Sequence, residues 1–359
     1  MEKKEKYKIM KKKLTVEDLI NIEPIKVSSD ARSASLLILG ESKVGKSTFI
    51  NDLYGDRVLF ICTEYRHNFL AGAKTVNIES YADYLRLMKL IRDPKIQEQY
   101  DAVVVDTFTR LQEWTEAYTL SRLGIEDLGD LGYGKGHSEF KKEMNRAVEL
   151  IETSGLIPHF IVHTKTQVKQ IPKDEISEDD VNDNMTLSKD KKTGKQVYEF
   201  NKEVADLKPS VFNSLNRVCD NILFFDVVLD DNGKEQRRIW YRDSLFHIAG
   251  SSLKNMPEYT ELSAQAYLDA FKKAVEQEGK ENTTDKPKEK PTDESGRYNF
   301  DSLMSEVADL GKQLQNDGKA DERNKVISEV LGNGRKVKDL DESQAEVLAV
   351  LVDKLKEIA

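Results

Sequence analysis

Apolar residues in this chain form two kinds of pattern. Short continuous runs occur at Ser35-Leu36-Leu37-Ile38-Leu39, Val58-Leu59-Phe60-Ile61-Cys62, Ala102-Val103-Val104-Val105 and Phe160-Ile161-Val162. A run of this kind suits a strand buried on both faces, because successive side chains point to opposite sides of a sheet. Between the runs, apolar positions recur at helical spacing over Tyr81 to Ile91, Thr109 to Leu120 and Glu139 to Thr153. Strands alternating with helices predict an α/β fold with a mainly parallel sheet.

Beyond His163 the pattern changes. Residues 165–207 are polar, Asp174 to Asp183 is acidic, and Lys192-Thr193-Gly194-Lys195 reads as a turn. A polar stretch this long reads as a functional or mobile loop. Asn221 to Val228 and Arg238 to Tyr241 then read as a hairpin around Asp230-Asp231-Asn232-Gly233, and Ser263 to Val275 as a helix. Residues 277–297 are rich in Lys, Glu, Thr, Asp and Pro and lack large apolar side chains, which describes a disordered linker. Helical periodicity returns from Tyr298 to Ala359, with Leu303, Val307 and Leu310 on one face and Val347, Leu348, Leu351 and Leu355 on another. Asp341, with Gln344 three residues later, suits a helix start. The expected organisation is a basic tail and lead-in (1–30), an ATPase-sized core (31–276), the linker (277–297) and a small helical C-terminal module (298–359).

The chain has 359 residues, 38% hydrophobic and 33% charged, with a net charge of −9. That balance excludes a uniformly basic coat for nucleic acid but not a local basic groove. Residues 1–13 hold seven lysines and read as a solvated tail, with nucleic-acid contact as the alternative. Cys62 and Cys219 lie in or beside apolar runs without metal-site spacing, which suits buried thiols in a reducing compartment. No apolar run approaches the ~20 residues that span a bilayer, and the N-terminal lysines precede no signal-like stretch. A soluble cytoplasmic protein without a membrane partner is expected.

The most specific motif is Gly40-Glu41-Ser42-Lys43-Val44-Gly45-Lys46-Ser47, followed by Thr48. It matches the phosphate-binding pattern G-x-x-x-x-G-K-[ST]. Its glycines let backbone N–H groups approach phosphates, and the helix that follows presents its positive end. Lys46 is expected at the β- and γ-phosphates of ATP, and Ser47 at Mg2+. Tyr100-Asp101-Ala102-Val103-Val104-Val105-Asp106 is an apolar strand ending in aspartate, which places Asp106 near the same ion. Many ATPases put a glutamate directly after that aspartate, whereas this chain has Thr107. Glu64, just past the Val58–Cys62 run, is the best-placed general base. His163, at the end of the Phe160–Val162 run, is the candidate γ-phosphate sensor. Residues 122–137, with Gly132-Tyr133-Gly134-Lys135-Gly136, and residues 165–200, with Lys165, Gln167, Lys169 and Gln170, read as loops suited to a single nucleic-acid strand.

In this order the segments resemble the RecA-like recombination ATPases, most of all the small bacteriophage single-strand-annealing proteins on a RecA-like core. The resemblance spans roughly residues 30–275. It rests on Gly40 to Thr48, Phe60 to Glu64, Val103 to Thr107, Asp130 to Lys135, Ile161 to Thr164, and Leu207-Lys208-Pro209 leading to Asp220-Asn221-Ile222-Leu223. It implies an AAA-like P-loop ATPase with a RecA-like core that uses ATP and Mg2+. It also implies binding of single-stranded DNA, annealing or strand exchange, and assembly into a ring or filament in a bacterial host cell. It assigns Lys46, Ser47, Glu64, Asp106 and His163 the roles given above. A basic residue from a neighbouring subunit is implied, with Arg242 and Lys254 as candidates. His163 stands where RecA has glutamine, and the acidic stretch Asp174 to Asp183 departs from a DNA-binding loop. The C-terminal module resembles tails that recruit a single-strand-binding protein or another replication protein. The alternatives are a replication ATPase of helicase or helicase-loader type and a nucleotide-gated DNA-binding module with little hydrolysis.

Overall fold

The computed structural model describes residues 16–21, 26–64, 70–178, 181–230, 232–279, 283–284, 300–332, 334–341 and 344–359. The lysine-rich residues 1–13 and most of the expected linker lie outside them. Two compact units are present, one over Glu23–Thr292 and one formed by Met1–Ile22 with Asp293–Ala359.

The larger unit opens with a two-residue strand, Val27–Ser28, paired with Thr283–Thr284 inside the expected linker, and its main elements start with strand β1 (Leu36–Gly40) and helix α1 (Lys46–Tyr54). Next come β2 (Val58–Cys62), β3 (Lys74–Asn77), α2 (Tyr81–Ile91) and α3 (Pro94–Gln99). Then follow β4 (Ala102–Asp106), α4 (Phe108–Leu123), α5 (Lys135–Glu152) and β5 (Ile157–Pro172). A short ribbon, β6 (Met185–Lys189) and β7 (Gln196–Ala205), precedes α6 (Pro209–Val218). The unit closes with β8 (Asn221–Leu229), β9 (Glu235–Trp240), β10 (Tyr259–Glu261) and α7 (Ala264–Glu276).

The main sheet runs β10-β9-β8-β1-β5-β4-β2-β3. From β8 to β3 every pair is parallel, while β9 and β10 add an antiparallel edge. One strand, β5, therefore sits between the phosphate-loop strand β1 and the aspartate strand β4, and β8 flanks β1 on the other side. This is the RecA-like P-loop arrangement.

The continuous apolar runs explain why this sheet is buried on both sides. Along β1, Leu37 and Leu39 face one core and Leu36 and Ile38 face the other. Along β4, Val103 and Val105 divide from Ala102 and Val104 in the same way. Helix α2 buries Tyr81, Tyr84, Met88 and Ile91 on one stripe, and its N-cap Ser80 accepts from the Asp83 N–H.

Two expectations are corrected. The polar segment after His163 is not a loop. Strand β5 continues through His163 to Pro172 and pairs with β7, which pairs with β6, in an antiparallel ribbon. The turn at its far end is present: Asp190 N–H donates to the Lys195 carbonyl, and Gly194 N–H to the Asp190 carbonyl. Residues 122–137 are not a flexible loop either. They form turns at Leu128–Asp130 and Gly132–Gly134, and α5 starts at Lys135. Gly136 is required there, because a Cβ would lie 2.3 Å from the Leu128 carbonyl oxygen.

The smaller unit contains α8 (Phe300–Asn316), α9 (Ala320–Leu331) and α10 (Ala345–Ile358). Val307, Leu314, Leu331, Leu348, Leu351, Val352 and Leu355 form its own core. Helix α10 starts at Ala345, later than the Asp341 start expected, and the Gln344 side chain accepts from the Asp341 N–H.

Candidate nucleotide site

The parallel strands end together at one edge, and the candidate residues gather there. A cavity of about 230 Å³ is lined by Ser42, Lys43, Gly45, Lys46, Ser47, Thr48, Glu64, Leu70, Asp106, Thr107 and His163. Of the residues expected at the site, Gly40, Glu41 and Val44 shape the loop without lining the cavity. Gly40 lies at φ +149°, and a Cβ on it would meet the Phe225 carbonyl oxygen at 2.7 Å. Gly45 caps α1 at φ +120°, and Lys43 adopts φ 67°. This positive-φ backbone is what a phosphate cradle needs.

Lys46 is almost wholly buried, and its Nζ donates to the carbonyls of Gly40 at 2.7 Å and Glu41 at 2.6 Å. Burial pulls its pKa down to about 8, while Asp106, Glu64 and Glu41 oppose that fall. The Ser47 hydroxyl donates to Asp106 Oδ2 at 2.5 Å, although the two residues are 59 positions apart. A hydroxyl and a buried carboxylate paired beside a lysine suit a hard divalent cation together with phosphate oxygens.

Glu64 stands at the mouth, about a quarter exposed. Its Oε1 lies 3.3 Å from His163 Nε2 and accepts from the Thr107 hydroxyl at 3.2 Å. The His163 N–H donates to Thr109 Oγ1 at 3.1 Å, and its carbonyl accepts from the Asp206 N–H at 2.7 Å. His163 is therefore held inside a continuous strand rather than at a strand tip. Burial pushes the Cys62 thiol up to about 12, which keeps it protonated and unreactive.

A family profile described as an AAA domain matches residues 32–243. The chain belongs to the AAA domain family. Its AAA domain contains every cavity-lining residue and the whole β5–β7 ribbon. Such P-loop ATPases generally use ATP and magnesium. The SPbeta prophage-derived uncharacterized protein YorG of Bacillus subtilis (strain 168) is 24% identical over 355 residues, 95% of this chain and 98% of that protein. The flagellar accessory protein FlaH of Methanocaldococcus jannaschii is similar at 13% identity and a TM-score of 0.26, over 60% of this chain and 78% of that one. No helix among the described residues is long and apolar enough to cross a membrane.

The AAA domain's phosphate loop also has neighbours that no motif in the sequence marks. Arg237 on β9 donates to the Val44 carbonyl at 3.4 Å, and Leu262 packs near Gly45. Their distance in the chain hid them. Conversely, Arg242 is tied down within its own chain: its guanidinium donates to the carbonyls of Leu253 at 3.4 Å, Met256 at 3.0 Å, and Lys254. It clamps that turn.

Proposed function

We propose that this AAA protein hydrolyses ATP in the cavity and uses that cycle to control its grip on single-stranded DNA, promoting annealing or strand exchange during phage recombination. The observation that supports this reading is strand β5. One continuous strand joins His163, beside Glu64, to a ribbon that projects from the site.

The ribbon's two faces differ in charge. Strand register puts Lys165, Gln167 and Lys169 on the same face as Val204, Lys202 and Phe200, with Tyr198 and Lys189 further out. The opposite face carries Glu203, bonded to Thr166, and Glu199, bonded to Gln170. The exposed Lys165 and Lys169 suit the phosphates of a single strand and the half-buried Tyr198 offers a ring to a base, whereas Phe200 is buried against Phe246. Asp206 and Asp243 hold Lys165 and Lys202 at 3.0 and 3.4 Å and fix their positions. The acidic stretch falls in the connection between β5 and β6.

At the cavity, Lys46 sets its charge against the β- and γ-phosphates. Ser47 and Asp106 would hold magnesium, which when bound neutralises phosphate oxygens. Glu64 takes a proton from the attacking water as that oxygen bonds to the γ-phosphorus and the bond to the ADP oxygen breaks. His163 senses Glu64 and passes its state along β5. The working form is a ring or filament, and the separate helical unit recruits a single-strand-binding or replication protein. The prophage origin of YorG supports the phage setting.

The test is fluorescence anisotropy on a labelled oligothymidylate, with and without ATP, comparing wild type with Lys165→Ala/Lys169→Ala. Nucleotide-dependent binding that the double variant loses is the expected result. Equal binding by both proteins counts against the ribbon face.

A further inference from the structure

Thr107 occupies the position where many P-loop ATPases carry their catalytic glutamate. Its surroundings give it a different job. Thr107 and Thr63 are both buried, 3% and 6% exposed. The Thr107 N–H donates to Thr63 Oγ1 at 2.8 Å, and the same hydroxyl donates back to the Thr107 carbonyl at 3.0 Å. The backbone adds a further link, with Thr63 N–H donating to the Asp106 carbonyl at 2.9 Å.

This double bond fixes the Thr107 backbone against the end of β2. Thr63 donates its one hydroxyl proton to the Thr107 carbonyl, and the Thr107 hydroxyl donates its own to Glu64 Oε1, 3.2 Å away. Oε1 also faces His163 Nε2. A carboxylate offers about four acceptor sites, so two such contacts orient it without saturating it.

We infer that Thr107, clamped by Thr63, is the positioning residue that aims Glu64 at the water. The pair lets a glutamate after β2 do the work of a glutamate after β4. This rests on the reading of Glu64 as the base, and the experiment separates the two. Steady-state ATP hydrolysis with magnesium is measured for Thr107→Val, Thr107→Ser, Thr63→Val and Glu64→Gln, alongside the affinity of each for a fluorescent ATP analogue. Thermal unfolding of the nucleotide-free protein is measured for Thr107→Val, Glu64→Ala and the double variant.

Thr107→Val is expected to lower kcat about ten-fold or more, the scale of one hydrogen bond to a charged group, with KM and analogue affinity unchanged. Thr107→Ser restores the rate, and Thr63→Val reproduces part of the loss. The two melting-temperature shifts are expected not to add, since the side chains touch. Full turnover in Glu64→Gln overturns the base assignment and this inference with it. Loss of turnover in Glu64→Gln with wild-type kcat in Thr107→Val overturns the inference alone. So does equal loss in Thr107→Ser and Thr107→Val.

Discussion

His163 Nε2 lies 3.3 Å from Glu64 Oε1, and Glu64 follows β2, which is not a neighbour of β5 in the sheet. β4 lies between β5 and β2, so the contact bridges over the end of the aspartate strand. His163 lines the phosphate cavity and is also a link in β5, so cavity and ribbon share this residue. If nucleotide state reaches the lysine face, this is where it enters. His163→Ala is therefore expected to drop the ratio of DNA-stimulated to unstimulated ATPase toward one, with ATP still bound. A preserved ratio would place the coupling elsewhere.

Lys46 makes the site sensitive to pH. Burial holds its pKa near 8, and bound phosphate oxygens favour the charged form. Linkage then requires ATP affinity to be flat below pH 8 and to fall above it, approaching ten-fold per pH unit. Titration with a fluorescent ATP analogue between pH 7 and about pH 9.5 checks this. In the nucleotide-free protein the unfolded lysine keeps its proton up to 10.5 and the folded one only up to about 8. The unfolded state binds more protons in that window, so this group's contribution to stability rises with pH there.

His159 predicts the opposite limb. It is fully buried between β1 and α1, where Nδ1 accepts from the Leu36 N–H at 3.2 Å and Nε2 meets the Tyr54 hydroxyl at 2.8 Å. These contacts suit a neutral ring, and burial lowers its pKa from 6.5 to about 3. Below pH 6.5 the unfolded chain takes up a proton that the folded chain refuses, so stability falls with pH. Between pH 7 and pH 5 the loss from this group is about 2 kcal/mol, from 1.4 kcal/mol per pH unit. Urea unfolding at both pH values checks it, and His159→Gln should show a smaller difference than wild type.

The lysine face predicts a salt signature. Each lysine removed from contact with a single strand reduces the slope of log affinity against log salt by about 0.7. Lys165→Ala/Lys169→Ala should lower the slope by roughly twice that, while Glu199→Gln, on the other face, should not lower it.

The sequence revealed some of these features and concealed others for physical reasons. β1, β2 and β4 were legible because both faces are buried, which forces uninterrupted apolar runs. Glu64 was legible from its place after β2. The outer half of β5 was not. From Thr164 to Gln170 it lies in a ribbon with largely exposed side chains, so no apolar alternation marks it as a strand. The start of α5 was hidden by Gly134 and Gly136, which read as loop residues, although Gly136 serves a close approach to the Leu128 carbonyl. Thr107 registered only as a missing glutamate, because its partner Thr63 lies 44 positions away.

In the proposed function, ATP turnover and single-strand binding are joined through β5. The most direct measurement is the ATPase rate with and without single-stranded DNA, for wild type, Lys46→Ala, Glu64→Gln and Lys165→Ala/Lys169→Ala. Stimulation by DNA in wild type, no turnover in the two cavity variants, and unstimulated turnover without a DNA response in the ribbon variant are expected. Wild-type turnover indifferent to single strands would sink the proposed link.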